Sequence, residues 1–277
     1  MKLCLEVNRT SFTERTAMDY KKLADVAMLA GTVMLQAGAE TYRVEDTMQR
    51  ILDTSGAETT EVLVLSTALM LNMDDPKIPS ISKMQRITTR GTDLGHICTV
   101  NNLSRQYCAG ELTLDEIYEE LKGLGETGRY PSWVMYLCTM VTVVMFTLLL
   151  GGNATDALLA GGSAVVLVVF QMLFENRGMN RFLHHMAALA CATFLVSVVQ
   201  AMFHIECNQE LIVAGTAMPL LPGVAITNAI RDTLQGDYIS GAARVMEAFV
   251  RAVSCAVGIG IGLYLGGLVT GGVLWVR

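Results

Sequence analysis

Apolar residues recur at three- and four-residue steps from Met18 to about Leu52: Leu23, Val26, Ala27, Ala30, Val33, Met34, Ala37, Val44, Met48, Ile51 and Leu52. That is the period of a helix with a buried face. Gly31 and Gly38 weaken the middle of the run, so a break or kink near Gly38 is predicted. Glu61 to Met73 is rich in β-branched and apolar residues and stops at Asp74-Asp75-Pro76, the pattern of a strand. A second strand is predicted over Ser82 to Thr89, with Met84, Arg86 and Thr88 on one face. Asp93 to Tyr107 reads as a helix. Thr113 with Glu116 three residues on is a capping box, and the short helix it opens is predicted to end at Gly123 and Gly125.

Past Pro131 the pattern changes. A hydrocarbon core is crossed by about 20 apolar residues in a helix, and runs of that kind follow one another near 133–150, 157–174, 184–203, 212–230 and 252–276. The predicted fold is thus an α+β domain over residues 1–130, followed over 131–277 by an all-α bundle of about five transmembrane helices. The loops alternate in charge. Gly151–Asp156 and His204–Leu211 lack Lys and Arg, whereas Arg177 and Arg181 precede the third run and three arginines lie in Arg231–Arg251. By the positive-inside rule this places the N-terminal domain in the cytoplasm and Arg277 outside.

Composition sharpens the division. The chain is 52% apolar, yet residues 1–130 hold 14 of its 20 Lys/Arg and 19 of its 26 Asp/Glu. That acidic balance excludes the basic footprint of a nucleic-acid binder. Met1 to Arg15 is mixed and polar, with no signal-peptide core. The seven cysteines include no CxxC, which points to reduced packing thiols rather than a disulfide framework or a zinc site. No nucleotide-binding glycine loop, HExxH or nucleophile elbow is present, so no cofactor, metal or catalytic residue is expected.

The chemistry-bearing positions cluster late in the chain. Met218-Pro219-Leu220-Leu221-Pro222-Gly223 lies in the middle of the fourth apolar run, where two prolines remove backbone donors and break the helix. Breaks at membrane depth occur where the freed backbone lines a protein-enclosed cavity, and half-helix N-termini there face anionic solutes. The candidate solute-binding set is therefore Pro222, Gly223, Thr227, Asn228 and Arg231; a simple packing kink is the structural alternative. Asp232, Asp237, Arg244 and Glu247 are candidates for coupling or gating, against an interfacial ion-pair ladder. Gly258, Gly262 and Gly266 repeat every four residues, a close-packing seam either within the chain or against a second protein. Earlier, Glu40, Arg43, Asp46 and Arg50 form three- and four-spaced opposite charges that read as a solvated helix face.

The segment Gly38-Ala39-Glu40-Thr41-Tyr42-Arg43-Val44-Glu45 resembles the threonine/serine exporter family, in its split, YjjP-like branch. So do Val100-Asn101-Asn102-Leu103-Ser104-Arg105 and Leu221-Pro222-Gly223, followed by Thr227–Asp232, Gly236-Asp237, Ser240-Gly241, Arg244 and Glu247. The resemblance implies an exporter subunit of the cell membrane for threonine and serine, or for a small dicarboxylate such as succinate, drawing on the proton gradient. It implies a hetero-oligomer with a separate small YjjB-like membrane subunit, and it gives Glu40, Tyr42, Arg43 and Glu45 weight without assigning them a role. Two other classes stay open on the residues themselves: a membrane-anchored hydrolase with Glu40 as its acid or base, and a sensor or scaffold whose bundle anchors the N-terminal domain.

Overall fold

The computed structural model describes residues 19–126, 130–174 and 180–270. Met1–Arg15, Arg177, Arg277 and the expected end of the fifth span lie outside the described residues. The chain divides into two compact units, each made of two stretches of sequence. The first joins residues 1–127 to residues 228–242, and the second joins 128–227 to 243–277.

The first unit is built around α1 (Tyr20–Gln36). Its side chains Leu23, Val26, Ala27, Ala30, Met34 and Leu35 are buried, a wider apolar face than an ordinary surface helix carries. The helix runs through Gly31 because α2 (Thr41–Asp53) crosses there, and a Cβ at Gly31 would collide with the Met48 thioether. The predicted break falls at Gly38, whose φ of +86° is the left-handed conformation that glycine adopts without strain. A Cβ at Gly38 would also lie 2.6 Å from the Gly91 carbonyl oxygen.

Three strands follow where the pattern predicts two. Glu61 to Met73 is a hairpin, β1 (Thr59–Leu65) and β2 (Ala68–Asp75), paired antiparallel with Leu65 opposite Ala68. Its turn, Ser66-Thr67, carries none of the Asn-Gly or Asp-Gly chemistry that marks tight hairpins, which is why a single strand is expected from the sequence. The last strand, β3 (Ile78–Arg86), starts earlier than predicted and pairs with β2 at the sheet edge, where Pro79 needs no partner for a missing N–H. Two helices complete the unit, α3 (Leu94–Ala109) and α4 (Leu114–Glu126). The capping box at the start of α4 is formed: Thr113 N and Oγ each donate to Glu116 at 2.8 Å, and Glu116 N returns a bond to Thr113 Oγ. The helix does not stop at Gly123 or Gly125 but continues to Glu126, since Leu121 and Ile117 hold it to the core. Full burial of side chains such as Leu23, Ile51, Leu69 and Leu121 stabilises the unit by about 1.5–3 kcal/mol each.

The second unit is helical. It contains α5 (Ser132–Leu149), α6 (Ala154–Phe174), α7 (Arg181–Phe203) and α8 (Gln209–Ala217), the last continuing into a 3-10 turn at Met218–Leu220. After Leu221-Pro222 comes α9 (Gly223–Leu234), then α10 (Tyr238–Val269), of which residues 228–242 belong to the first unit. Among the described residues four helices are long and apolar enough to cross a membrane: Ser132–Leu149, Ala154–Leu173, Phe182–Phe203 and Tyr238–Val269. In Ser132–Leu149 only Val143 and Thr147 are buried, which leaves an apolar surface too large to rest in water. The expected fourth span is the bent pair Gln209–Leu220 and Gly223–Leu234, which turns by 57° at the break. The helix expected from 252 starts at Tyr238 instead, so Arg244, Glu247 and Arg251 are successive positions of one long helix.

Candidate functional site

The break between α1 and α2 leaves backbone groups of both helices without helical partners. Residues 228–242, which belong to the same compact unit, supply several of them. Asn228 Nδ2 donates to the Gly38 carbonyl at 2.8 Å. Thr41 is the first residue of α2, and its N–H donates to Asp232 Oδ1 at 3.1 Å. Asp232 therefore caps α2 from a distance of 191 residues in sequence, at the end where the helix dipole favours a negative group. Asp232 is fully buried.

Glu40 occupies the N-cap position of α2, and its side chain makes no capping bond to the helix backbone. Its carboxylate pairs with Arg231 and, at 3.3 Å, with Nε of Arg43. The Glu40 side chain is 9% exposed, whereas Arg231 keeps nearly half its surface. The pair thus joins a buried acid to a half-exposed base.

Between these contacts sits the Thr41 hydroxyl, 3.0 Å from Asp232 Oδ1 and 2.9 Å from Asp237 Oδ2. A hydroxyl has one hydrogen, so Thr41 donates to one of the two carboxylates at a time. One turn further along α2, Glu45 Oε1 accepts the Val64 N–H at 2.9 Å, at the end of β1. Burial pushes the Glu45 carboxyl above the ordinary range; the Val64 bond opposes this and the nearby charge of Asp237 adds to it. Two residues after Val64, the Ser66 N–H donates to Ser240 Oγ at 3.2 Å. Gly241 lets the turn close, because a Cβ there would meet the Thr233 hydroxyl and the Ala229 carbonyl, the latter at 3.1 Å.

Of the sequence-predicted residues, Asn228, Arg231, Asp232 and Asp237 thus meet Glu40, Arg43 and Glu45 through side chains or their immediate neighbours. Tyr42 is half-buried on α2. In the second unit, Pro222 is buried, Gly223 opens α9, and the Thr227 hydroxyl donates back to the Gly223 carbonyl at 3.1 Å. Arg244 is buried, and Glu247 accepts from Arg251 at 2.5 Å. The glycine seam packs within the chain. Cβ atoms at Gly258, Gly262 and Gly266 would strike the Met186 backbone, the Ala190 carbonyl oxygen at 2.5 Å and Ser197 Cβ at 2.5 Å, all on α7.

Thr41, Ser66 and Ser240 escape sequence reasoning as contact residues because small hydroxyls carry no periodic signal. Asp156 escapes it too. This fully buried acid in the second unit accepts from Asn153 N at 2.9 Å, Asn208 N at 2.8 Å and Asn208 Nδ2 at 3.2 Å, tying together the loops before α6 and α8. Its signal is present but easily overlooked: it is the single acid between Pro131 and Glu175.

A sequence profile described as "Putative threonine/serine exporter" matches residues 25–266. Two curated proteins align along most of their length, both described as "Probable succinate transporter subunit YjjP". That of Klebsiella aerogenes is 20% identical over 239 residues, covering 85% of this chain and 90% of its own. That of Escherichia coli K12 is 21% identical over 243 residues, covering 86% and 92%. No solved structure matches the chain.

Proposed function

The chain belongs to the threonine/serine exporter family, and on that premise we propose that it is one subunit of a proton-coupled secondary exporter for small carboxylate-bearing solutes. Threonine and serine, the solutes of the family, or a small dicarboxylate such as succinate, the solute of the two relatives, are the cargo in this proposal. The family is a transporter family, and the apolar helices of this chain make it a multi-pass membrane protein.

One observation carries the reading. The bent pair Gln209–Leu220 and Gly223–Leu234 turns by 57° at Leu221-Pro222, and its second limb carries Thr227 and Asn228 about one turn from its start and Arg231 about one turn further on. A half-helix start offers unpaired N–H groups, and the dipole there favours a carboxylate. In this reading Gly223 opens the solute site, Thr227 and Asn228 orient the solute, and Arg231 is the countercharge. Glu40 then competes with solute for Arg231, which supports alternation between a solute-free pair and a solute-bound one. Asp232, Asp237, Arg244 and Glu247 serve coupling or gating.

The N-terminal domain faces the cytoplasm in this proposal, and a second small membrane subunit completes the transporter. The loop arginines support that orientation, and the word "subunit" in the names of both relatives supports the partner. The test is reconstitution of the chain with and without a candidate second subunit, in vesicles carrying labelled threonine, serine and succinate. Proton-dependent efflux of one of them, only with both chains present, is expected. Vesicles that leak no label under any gradient, with both chains inserted, would overturn the proposal.

A further inference from the structure

The contacts around Glu45 have a use beyond the solute site. Two contacts hold the Asp237–Ser240 turn to α2 and the β1–β2 hairpin, and a third joins α2 to the hairpin beside them. Thr41 Oγ meets Asp237, Ser66 N–H meets Ser240 Oγ, and Glu45 stands between them with one oxygen fixed by the Val64 N–H. Thr41 and Glu45 are four apart and share a face of α2. Val64 and Ser66 are two apart, at the end of β1 and in the turn that follows it. We infer that Glu45 is a proton-operated catch: neutral, it lets the Asp237–Ser240 turn seat on α2 and the hairpin, and ionised, it repels Asp237 and releases the turn.

The charges around it favour this sense. From residues 228–242 come Asp232, Asp237 and Arg231; from α2 and its N-cap come Glu40, Arg43 and the outward pair Asp46–Arg50. On β1, Glu61 is exposed and lies on the strand face opposite Val64. Asp237 is the carboxylate whose charge acts on Glu45, so a neutral Glu45 relieves the like-charge repulsion between the two. Burial raises the Glu45 pKa, as does the charge of Asp237. The sign follows by linkage. A carboxyl whose pKa is raised in the seated state binds its proton more tightly there, so seating is favoured at low pH and lost as pH rises through that raised pKa.

This rests on the transporter reading only for its purpose, which is to make seating of 228–242 follow the proton that drives export. Its test does not need transport. Hydrogen–deuterium exchange is followed at the Val64 and Ser66 amides of the full chain in lipid nanodiscs between pH 4.5 and 8, corrected for intrinsic exchange, with β2 amides as the control. In the unmodified chain, protection of Ser66 is expected to fall with rising pH, by up to about tenfold for each unit by which the seated and released pKa values differ. Glu45→Gln should hold Ser66 protected across the range, and Asp237→Asn should shrink the fall or remove it by ending the repulsion that raises the seated pKa. Ser66 protection that does not vary with pH in the unmodified chain, or that varies equally in Glu45→Gln, overturns the catch. Intact exchange behaviour in a chain that shows no proton-dependent flux would instead reject the coupling part of the proposed function and leave the catch standing.

Discussion

Arg231 and Glu40 form an ion pair across 191 residues of chain, joining the second limb of the broken helix to the N-cap of α2. The acid is the buried partner and the base the half-exposed one. Removing a base from a buried acid leaves a charge with too little compensation, whereas removing both leaves none. Arg231→Gln is therefore expected to lower the thermal midpoint of the solubilised protein more than Glu40→Gln does. The double variant should recover part of the loss. Arg43 keeps a share of the Glu40 charge, so the Arg231→Gln effect is expected to be about 1–2 kcal/mol rather than the larger cost of a fully isolated buried ion. Equal losses in the two single variants, adding in the double, would contradict the coupling.

Gly38 is required twice, by its φ of +86° and by the Gly91 carbonyl oxygen 2.6 Å from any Cβ. Gly38→Ala is expected to cost about 1–2 kcal/mol from the left-handed backbone alone, and more from the crowding. Gly56 has a φ of +67° but open space around it, so Gly56→Ala should show the backbone cost without the clash. Thermal unfolding of the two variants side by side separates the two contributions.

The seam on α10 makes a sharper contrast. Gly262→Leu would drive a side chain into the Ala190 carbonyl oxygen, which is backbone and does not yield, and Gly258→Leu would meet the Met186 backbone. Both should abolish a monodisperse folded protein on size-exclusion chromatography. Gly260 lies on the same helix with nothing within 4 Å of a Cβ, and Gly260→Leu should be tolerated. A tolerated Gly262→Leu would mean that α7 and α10 do not pack as described.

The bond from Thr113 holds the exposed Glu116 carboxyl below its ordinary range. A carboxylate with a depressed pKa adds stability above its unfolded pKa and loses it as pH falls through the folded one. The first turn of α4 should therefore fray in acid, below the ordinary carboxylate range, seen as faster exchange of the amides of residues 113–117. Thr113→Ala keeps the backbone N–H bond and loses the hydroxyl one, so it should weaken that acid dependence and leave the turn partly frayed at neutral pH, whereas Glu116→Gln should remove the acid dependence.

Pro219→Ala combined with Pro222→Ala restores backbone donors at the break and should straighten the pair that now turns by 57°. Efflux in the reconstituted transporter is expected to fall to background while membrane insertion is retained. Undiminished flux would remove the break from the solute route.

Much of the fold is legible in the order of the residues. Period 3.6 gives α1 and α2, the weak helix propensity of glycine gives the break at Gly38, Thr113-x-x-Glu116 gives the start of α4, and two prolines in an apolar run give the bent pair. Each is a local matter, since periodicity and dihedral restriction act over a few residues and leave their mark in spacing. The Ser66-Thr67 turn shows the limit, because its residues carry no turn signal and the sheet alone imposes the reversal.

What the tertiary structure alone decides is which local features meet. The spacing of Glu40, Arg43 and Asp46 reads as a solvated ladder, yet Glu40 turns inward to Arg231, and Asp232 caps a helix 191 residues away. Nothing in the spacing of residues 228–242 assigns them to the N-terminal unit. The partners of a buried charge are chosen by whatever chain arrives beside it with a free donor, and that choice is made by packing, over distances along the chain at which sequence periodicity has no memory.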